Sequence, residues 1–272
     1  MARTVADKLI CAARAGWYSV YEPVRLRLAR SAGFDPCPDP LVSIVVPTYN
    51  RADLLIDRCL KSVLAQTYTN LEIIVADHSS TDDTAGRVAA LGDARLRLLR
   101  VPRQRRYPAT AENHWLMGPT DPINAGLKAA RGQWIARIDD DDEWTPDHIE
   151  ILLRFAQRGN YEFVSSAYVK VHDAASSRYV VAHDGVPPLI GGVQTWLYRS
   201  YLNFMRCNPD CWRKTWNRGN DTDLADRFRK AGVRIGWTPD RTAIVKARPG
   251  ERFIGSKAYL ANKAKTEQFY KF

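Results

Sequence analysis

Apolar positions in this chain change their spacing near residue 41, and that change divides the reading. Up to about Arg30, Leu9, Ile10, Ala13, Trp17 and Val20 recur at helical intervals and gather on one side of a basic amphipathic helix, with a break expected at Pro23. The stretch from Ser31 to Pro40 holds Pro36, Pro38 and Pro40 and reads as a linker. From Leu41 onward, short apolar runs alternate with helical patterns. Ser43-Ile44-Val45-Val46, stopped by Pro47, then Leu71 to Ala76 and Trp134 to Ile138, have the continuous apolar character of strands covered on both faces. Between the first two, Leu55, Cys59 and Val63 recur every four residues, with Asn50 as the expected cap and Asp53 three residues on. Strand, helix, strand in that order predicts a parallel sheet with right-handed crossovers. A weaker strand is expected in Leu96 to Leu99, after a helix that begins near Thr81 with Asp82 and Asp83 at its positive end.

Past the third strand, Thr145 is placed to cap a helix with Pro146 at its first position, Ile149, Leu152 and Phe155 on its apolar side and Gly159 at its end. Phe163 to Val171 reads as a strand paired with Tyr179 to Ala182. Gln194 to Trp216 is rich in Trp, Tyr, Arg and Asn without a clean period. A helix then starts near Asn220 or Asp221 and stops at Gly232, and Val233 to Ile235 forms a short strand. There is no internal repeat and no low-complexity tract. The class is α/β: a mostly parallel, Rossmann-like central sheet flanked by helices, with an N-terminal helical extension. The expected organisation is an extension and linker over 1–40, the two halves of one domain over 41–145 and 146–250, and a basic aromatic tail over 251–272.

Candidate chemistry sits where the strands end. Thr48-Tyr49-Asn50 follows the first strand, Asp77-His78-Ser79-Ser80 the second, and Asp139-Asp140-Asp141-Asp142 the third. Open parallel sheets bind ligands at those carboxyl ends. Four consecutive carboxylates repel one another, so a cation or a solvent-filled cleft belongs beside them. On an extended backbone Asp139 and Asp141 face one site while Asp140 and Asp142 face away. Hard oxygen ligands suit magnesium or manganese. The same residues also suit a solvated acidic turn ahead of a helix. The formal net charge of +10 narrows the partner to nucleic acid, anionic lipid or a phosphorylated substrate. Five scattered cysteines fit reduced thiols, Cys207 and Cys211 lack a second pair for a zinc site, and the start has no secretory apolar region, so a cytoplasmic location is expected. The N-terminal helix either lies in a membrane interface through Trp17, Tyr18 and its arginines or packs on the flank of the domain.

Four segments in order, Ser43 to Arg51, Asp77 to Thr84, Asn124 to Gly132 and Asp139 to Asp142, resemble glycosyltransferase family 2. The likeness covers residues 41–145 well and runs more loosely to Pro239, and it implies that 41–145 is the nucleotide-sugar-binding half of the domain and 146–250 its acceptor-binding half. It implies the GT-A fold, a nucleoside-diphosphate sugar donor with UDP as the expected nucleotide, a divalent metal (manganese or magnesium), and transfer with inversion, as in a hexosyl- or related sugar transferase. By motif, Pro47, Thr48, Tyr49 and Asp77 would hold the nucleobase, with Asn50, Asn124 and Asp140 among the nucleotide-sugar contacts. Asp139 would sit by the ribose or the metal, and Asp141 would ligate the metal. An inverting displacement needs a carboxylate to take the acceptor proton, and the resemblance puts it at Asp221, with Asp223 second. Trp196 and Arg199, with Asp223, fall where such enzymes bind the acceptor, a glycan or a lipid-linked one. Ile123 stands where the family often has Arg, so a phosphate contact would come from Arg103, Arg105, Arg106 or Lys128, and His114 or Trp115 would line the sugar pocket. Nucleic acid is not expected as a partner; peripheral contact of the basic termini with the cytoplasmic membrane face is. A sugar-phosphate nucleotidyltransferase is disfavoured because Pro47 to Asn50 replaces a glycine-rich phosphate loop, and the non-enzymatic alternative is a basic membrane- or nucleic-acid-binding module.

Overall fold

The computed structural model describes residues 4–33, 37–104, 107–173, 176–180, 185–213, 219–249 and 251, together with Ala261, Ala264, Gln268 and Phe269; at 172, 173 and 176–179 it describes the backbone alone. Arg105, Arg106, Val181, Ala182, Trp216 and most of the expected tail lie outside the described residues.

Strands β1 (Val42–Thr48), β2 (Leu71–Asp77), β3 (Leu96–Arg100) and β4 (Trp134–Arg137) form a parallel block in the order β3-β2-β1-β4. Strand β1 runs on through Pro47. Its ladder with β4 ends at the Val45 and Arg137 pair, so the N–H that proline lacks falls on a side where no partner waits. The second half of the sheet is mixed. Strand β8 (Leu197–Arg199) lies antiparallel between β4 and β6 (Phe163–Asp173), β9 (Ile235–Lys246) runs parallel to β6, β5 (Asp142–Trp144) closes the edge against β9, and β7 (Ser176–Val180) pairs with β6.

Alternate residues of β1 serve two cores. Ile44 and Val46 pack toward one face with Leu55, Cys59 and Val63, and Val45 packs toward the other with Ile123, Leu127, Phe163 and Phe228. The first face is covered by a helical run, α2 (Ala52–Leu54), a π turn (Leu55–Leu60) and α3 (Lys61–Leu64), and by α7 (His148–Arg158). The wider π turn suits the spacing of four, which keeps Leu55, Cys59 and Val63 all buried. Beside β3 lies α4 (Thr84–Ala90), which starts three residues later than Thr81 because Asp82 is used as a clamp: its carboxylate accepts from Thr84 N–H at 3.2 Å and Ala52 N–H at 3.1 Å. The helix predicted from Thr145 begins instead at His148, since Thr145 is pinned to β9 by its N–H to Thr242 O at 3.0 Å.

The other face carries α6 (Thr120–Ala129) and α8 (Asn220–Ala231), with α5 (Ala111–Met117) ahead of α6. Gly126 lets α6 close on β1, for a Cβ there would sit 2.5 Å from Val45 Cγ1. Gly232 ends α8 at φ 80°, as its position in sequence predicts. Helix α1 (Val5–Ser31) packs on α8 and does not break at Pro23. An interior proline costs about 3 kcal/mol, but α1 is tied down on both sides of it. Arg14 pairs with Asp210 before the proline, and Arg30 with Glu162 after it.

Candidate active site

The carboxyl ends of β1 and β4, where the order of connections reverses, open into a cavity of about 210 Å3. Its walls include Pro47, Thr48 and Tyr49 after β1, His78 after β2, Asp139, Asp140 and Asp141 after β4, and Asp221 at the start of α8. Residues more than 80 positions apart in sequence thus meet because three chain segments end at one rim.

The acidic run is a turn, closed by Asp142 N–H to Asp139 O at 3.2 Å. Asp139 and Asp141 are half-buried at the cavity, whereas Asp140 and Asp142 are buried. Asp140, expected to face away, also borders the cavity while its carboxylate accepts from Thr48 Oγ1 at 2.8 Å and Arg51 Nη1 at 3.0 Å. Burial, then repulsion from Asp141, pushes the Asp139 carboxyl up to about 7. Burial also raises Asp140 and, together with the three acids beside it, Asp142. Asp141 goes the other way: burial opposes its charge, but Arg51, Arg248 and Arg58 outweigh that and hold it below the usual carboxylate range. Arg248 Nε donates to Asp141 Oδ2 at 2.7 Å.

A divalent cation fits this chemistry. Two oxygen donors, Asp139 and Asp141, face one space, and burial together with repulsion from Asp141 penalises the charge on Asp139, a cost that a cation between them would offset. Among the described residues no three His, Cys, Asp or Glu side chains form a ready cage. Magnesium commonly takes one or two carboxylates and completes its shell with substrate phosphates.

Asp221 borders the same cavity and is near enough to Asp139 to help raise its pKa. Asn220 sets that position: its side chain accepts from Asn208 N–H at 2.7 Å and donates to Thr120 Oγ1 at 2.5 Å, tying the start of α8 to that of α6. Gly219 leaves room, since a Cβ there would lie 2.8 Å from Asp221 Oδ1. Asp223 does not join the cavity. Two residues along a helix turn the side chain by about 200°, so Asp223 is buried on the α1 side, facing Arg227 at 3.5 Å.

Several expected contacts are placed elsewhere. Asp77 is buried with both oxygens engaged, one accepting from Ser80 N–H at 2.9 Å and the other from Arg100 at 2.7 Å, so it braces the loop after β2. Its neighbour His78 borders the cavity, and the His78 Nε2 is buried without a hydrogen-bond partner among the described residues. Asn50 accepts from Thr81 N–H at 2.6 Å and joins the loops after β1 and β2. Both ends of the Asn124 amide are bonded to the backbone of Cys207 at 3.0 Å, fixing a cavity wall. Trp196, 1% exposed, is enclosed by Phe163 and Phe228 and donates to Gly191 O at 2.8 Å, leaving no face for a sugar. Arg199 stacks on Trp134 at 4.3 Å, away from the cavity, and Lys128 is exposed. Arg103 stacks on Tyr49 at 4.3 Å and donates to its hydroxyl at 2.6 Å. His114 and Trp115 do border the cavity, His114 bonded to Tyr107 at 2.7 Å. Arg51, Arg137, Asn220 and Arg248 carry no site role in the sequence reading; Arg51 stands in the first motif, Arg137 in the third strand and Asn220 at the expected start of α8, while Arg248 has no local signal.

Residues 43–209 match the profile described as Glycosyl transferase family 2. Among curated proteins the chain is 39% identical over 122 residues to the succinoglycan biosynthesis protein ExoO of Rhizobium meliloti (strain 1021), covering 45% of this chain and 31% of that one. It is 35% identical over 130 residues to WfgD of Escherichia coli, named as a UDP-Glc:alpha-D-GlcNAc-diphosphoundecaprenol beta-1,3-glucosyltransferase, covering 48% of this chain and 46% of that one. The chain thus spans less than half the length of these relatives. Among solved structures it resembles S. aureus TarS 1-349 in complex with UDP-GlcNAc, with a TM-score of 0.60 at 18% identity over 84% of this chain and 70% of that one. It also resembles the Pyrobaculum calidifontis mannosyltransferase PcManGT in complex with GDP-Man and Mn2+, with a TM-score of 0.54 at 20% identity over 88% and 67%. At these identities the likeness is one of fold, and the fold is GT-A.

Proposed function

This chain belongs to glycosyl transferase family 2, and from that premise we propose that it is an inverting, metal-dependent glycosyltransferase. It moves a sugar from a nucleoside-diphosphate donor to a hydroxyl of a glycan or lipid-linked acceptor, in the cytoplasm, for bacterial surface polysaccharide. One observation carries the reading: Asp139, Asp141 and Asp221, distant in sequence, border one cavity at the carboxyl ends of β1 and β4.

The nucleoside lies along Pro47 to Tyr49, with His78 on the same wall and Asp77 and Asn50 bracing the loops behind it. Asp139 and Asp141 hold the divalent cation, which when bound supplies charge stabilisation for the departing nucleoside diphosphate. Arg51 and Arg248, which neutralise Asp141 here, are placed to pair with phosphate oxygens instead. Asp221 takes the proton of the attacking hydroxyl. It stands in the first turn of α8, and Asn220 and Gly219 keep it aimed into the cavity. UDP is the preferred nucleotide, supported by the WfgD name, which also pairs this kind of domain with a diphosphoundecaprenol-linked acceptor.

The test is thermal unfolding with UDP or GDP, each with and without manganese or magnesium. A rise in Tm that needs both nucleotide and metal is expected. No rise with either nucleotide would refute the assignment.

A further inference from the structure

Helix α1 is mounted on the domain by its polar side. Its two acids, Asp7 and Glu22, pair inward with Arg213 and Arg227, and Arg14 and Arg30 pair with Asp210 and Glu162. Leu26 is the one apolar side chain of α1 that is fully buried. Val5, Leu9, Trp17, Val20, Val24 and Leu28 point away from the domain, with exposures of 74%, 65%, 61%, 69%, 48% and 57%. At about 100° per residue, these six fall within an arc of about 140°, and the helix is about 40 Å long. A helix on a globular domain normally turns such a stripe to the core. Here ion pairs hold it outward, and an apolar surface of this extent marks an interaction site.

We propose that α1 is an in-plane membrane anchor whose outward stripe enters the headgroup and acyl boundary of an anionic bilayer. Charge selects this occupant. Both acids of α1 face inward and are neutralised, while Lys8, Arg25 and Arg27 are exposed and the chain carries a formal net charge of +10. Anionic headgroups attract that surface; a second copy of the chain would be repelled by it. Trp17, in the middle of the stripe, has the amphipathic ring that settles at such boundaries. Among the described residues no helix is long and apolar enough to cross a membrane, so α1 lies in the interface. Its bonded neighbour α8 carries Asp221, which brings the catalytic cavity to the bilayer where a lipid-linked acceptor resides. The anchor rests on the transferase reading for that last point alone.

The test is flotation of the full chain with phosphatidylcholine vesicles and with vesicles holding about 30% phosphatidylglycerol, for wild type and the triple variant Leu9→Ser, Trp17→Ser, Val20→Ser. Recovery with anionic vesicles should fall at least about tenfold in the variant and should weaken with salt in wild type. Circular dichroism and metal-dependent hydrolysis of a UDP-sugar in solution should be unchanged, because the three side chains are exposed and remote from the cavity. Equal recovery of both proteins, equal binding to neutral and anionic vesicles, or a wild-type dimer that the variant dissociates would each overturn the anchor. Flotation without turnover of any nucleotide sugar would sink the transferase reading and leave the anchor standing; turnover without flotation would do the reverse.

Discussion

Acidification from about pH 7 to about pH 5 should cost the fold about 2 kcal/mol through His148 alone. This ring is buried and stacked on Trp144 at 4.1 Å, with Nδ1 2.7 Å from Thr242 Oγ1 and Nε2 buried without a partner among the described residues. An imidazolium would need a second acceptor that is not there. Burial pushes the His148 pKa from 6.5 down to about 3. Between those values an unfolded chain holds the proton and the folded chain does not, so stability is complete above the unfolded pKa and falls as pH falls. At about 1.4 kcal/mol per pKa unit the loss reaches about 5 kcal/mol near pH 3. His148→Asn keeps a polar atom near the Nδ1 position and does not titrate. Urea unfolding of both proteins at several pH values isolates the effect, since every other carboxyl and imidazole cancels in the difference. The variant should be less stable at neutral pH but flatter in its pH dependence. Parallel pH profiles would refute the claim that the buried ring stays neutral.

The two acids of α8 should separate cleanly. Asp221→Asn should lower transfer about 10²- to 10⁴-fold while nucleotide affinity, read by calorimetry, stays within a factor of two or so. Asp223→Asn should leave turnover within a few-fold of wild type, because its side chain faces Arg227 and α1; a loss as large as that of Asp221→Asn would move the base. Asp141→Ala should abolish the metal-dependent rise in Tm with UDP, and an undiminished rise would place the metal elsewhere. Gly126→Ala should destabilise by about 1–3 kcal/mol in urea unfolding, through the clash with Val45.

The sequence by itself determined the parallel block and the position of its chemistry. Strands covered on both faces are mostly apolar, so β1, β2 and β4 announce themselves despite Ser43, Glu72 and Arg137, and the polar residues that follow them are at the carboxyl rim. The stop of α8 at Gly232 was legible for an equally local reason, the left-handed backbone there. Other features depended on partners that no local period encodes. Strand β8 is three residues long and exists because β4 and β6 flank it. Periodicity located the stripe on α1 but not its direction, which ion pairs with Asp210, Arg213, Arg227 and Glu162 decide. Asp221 and Asp223 look alike in sequence, and only the docking of α8 gives one the cavity and the other a salt bridge. Arg248 reaches Asp141 from 107 residues away. Hydrophobic patterning is set residue by residue along the chain, whereas the neutralisation of a buried charge is set by whichever group the packed fold brings beside it.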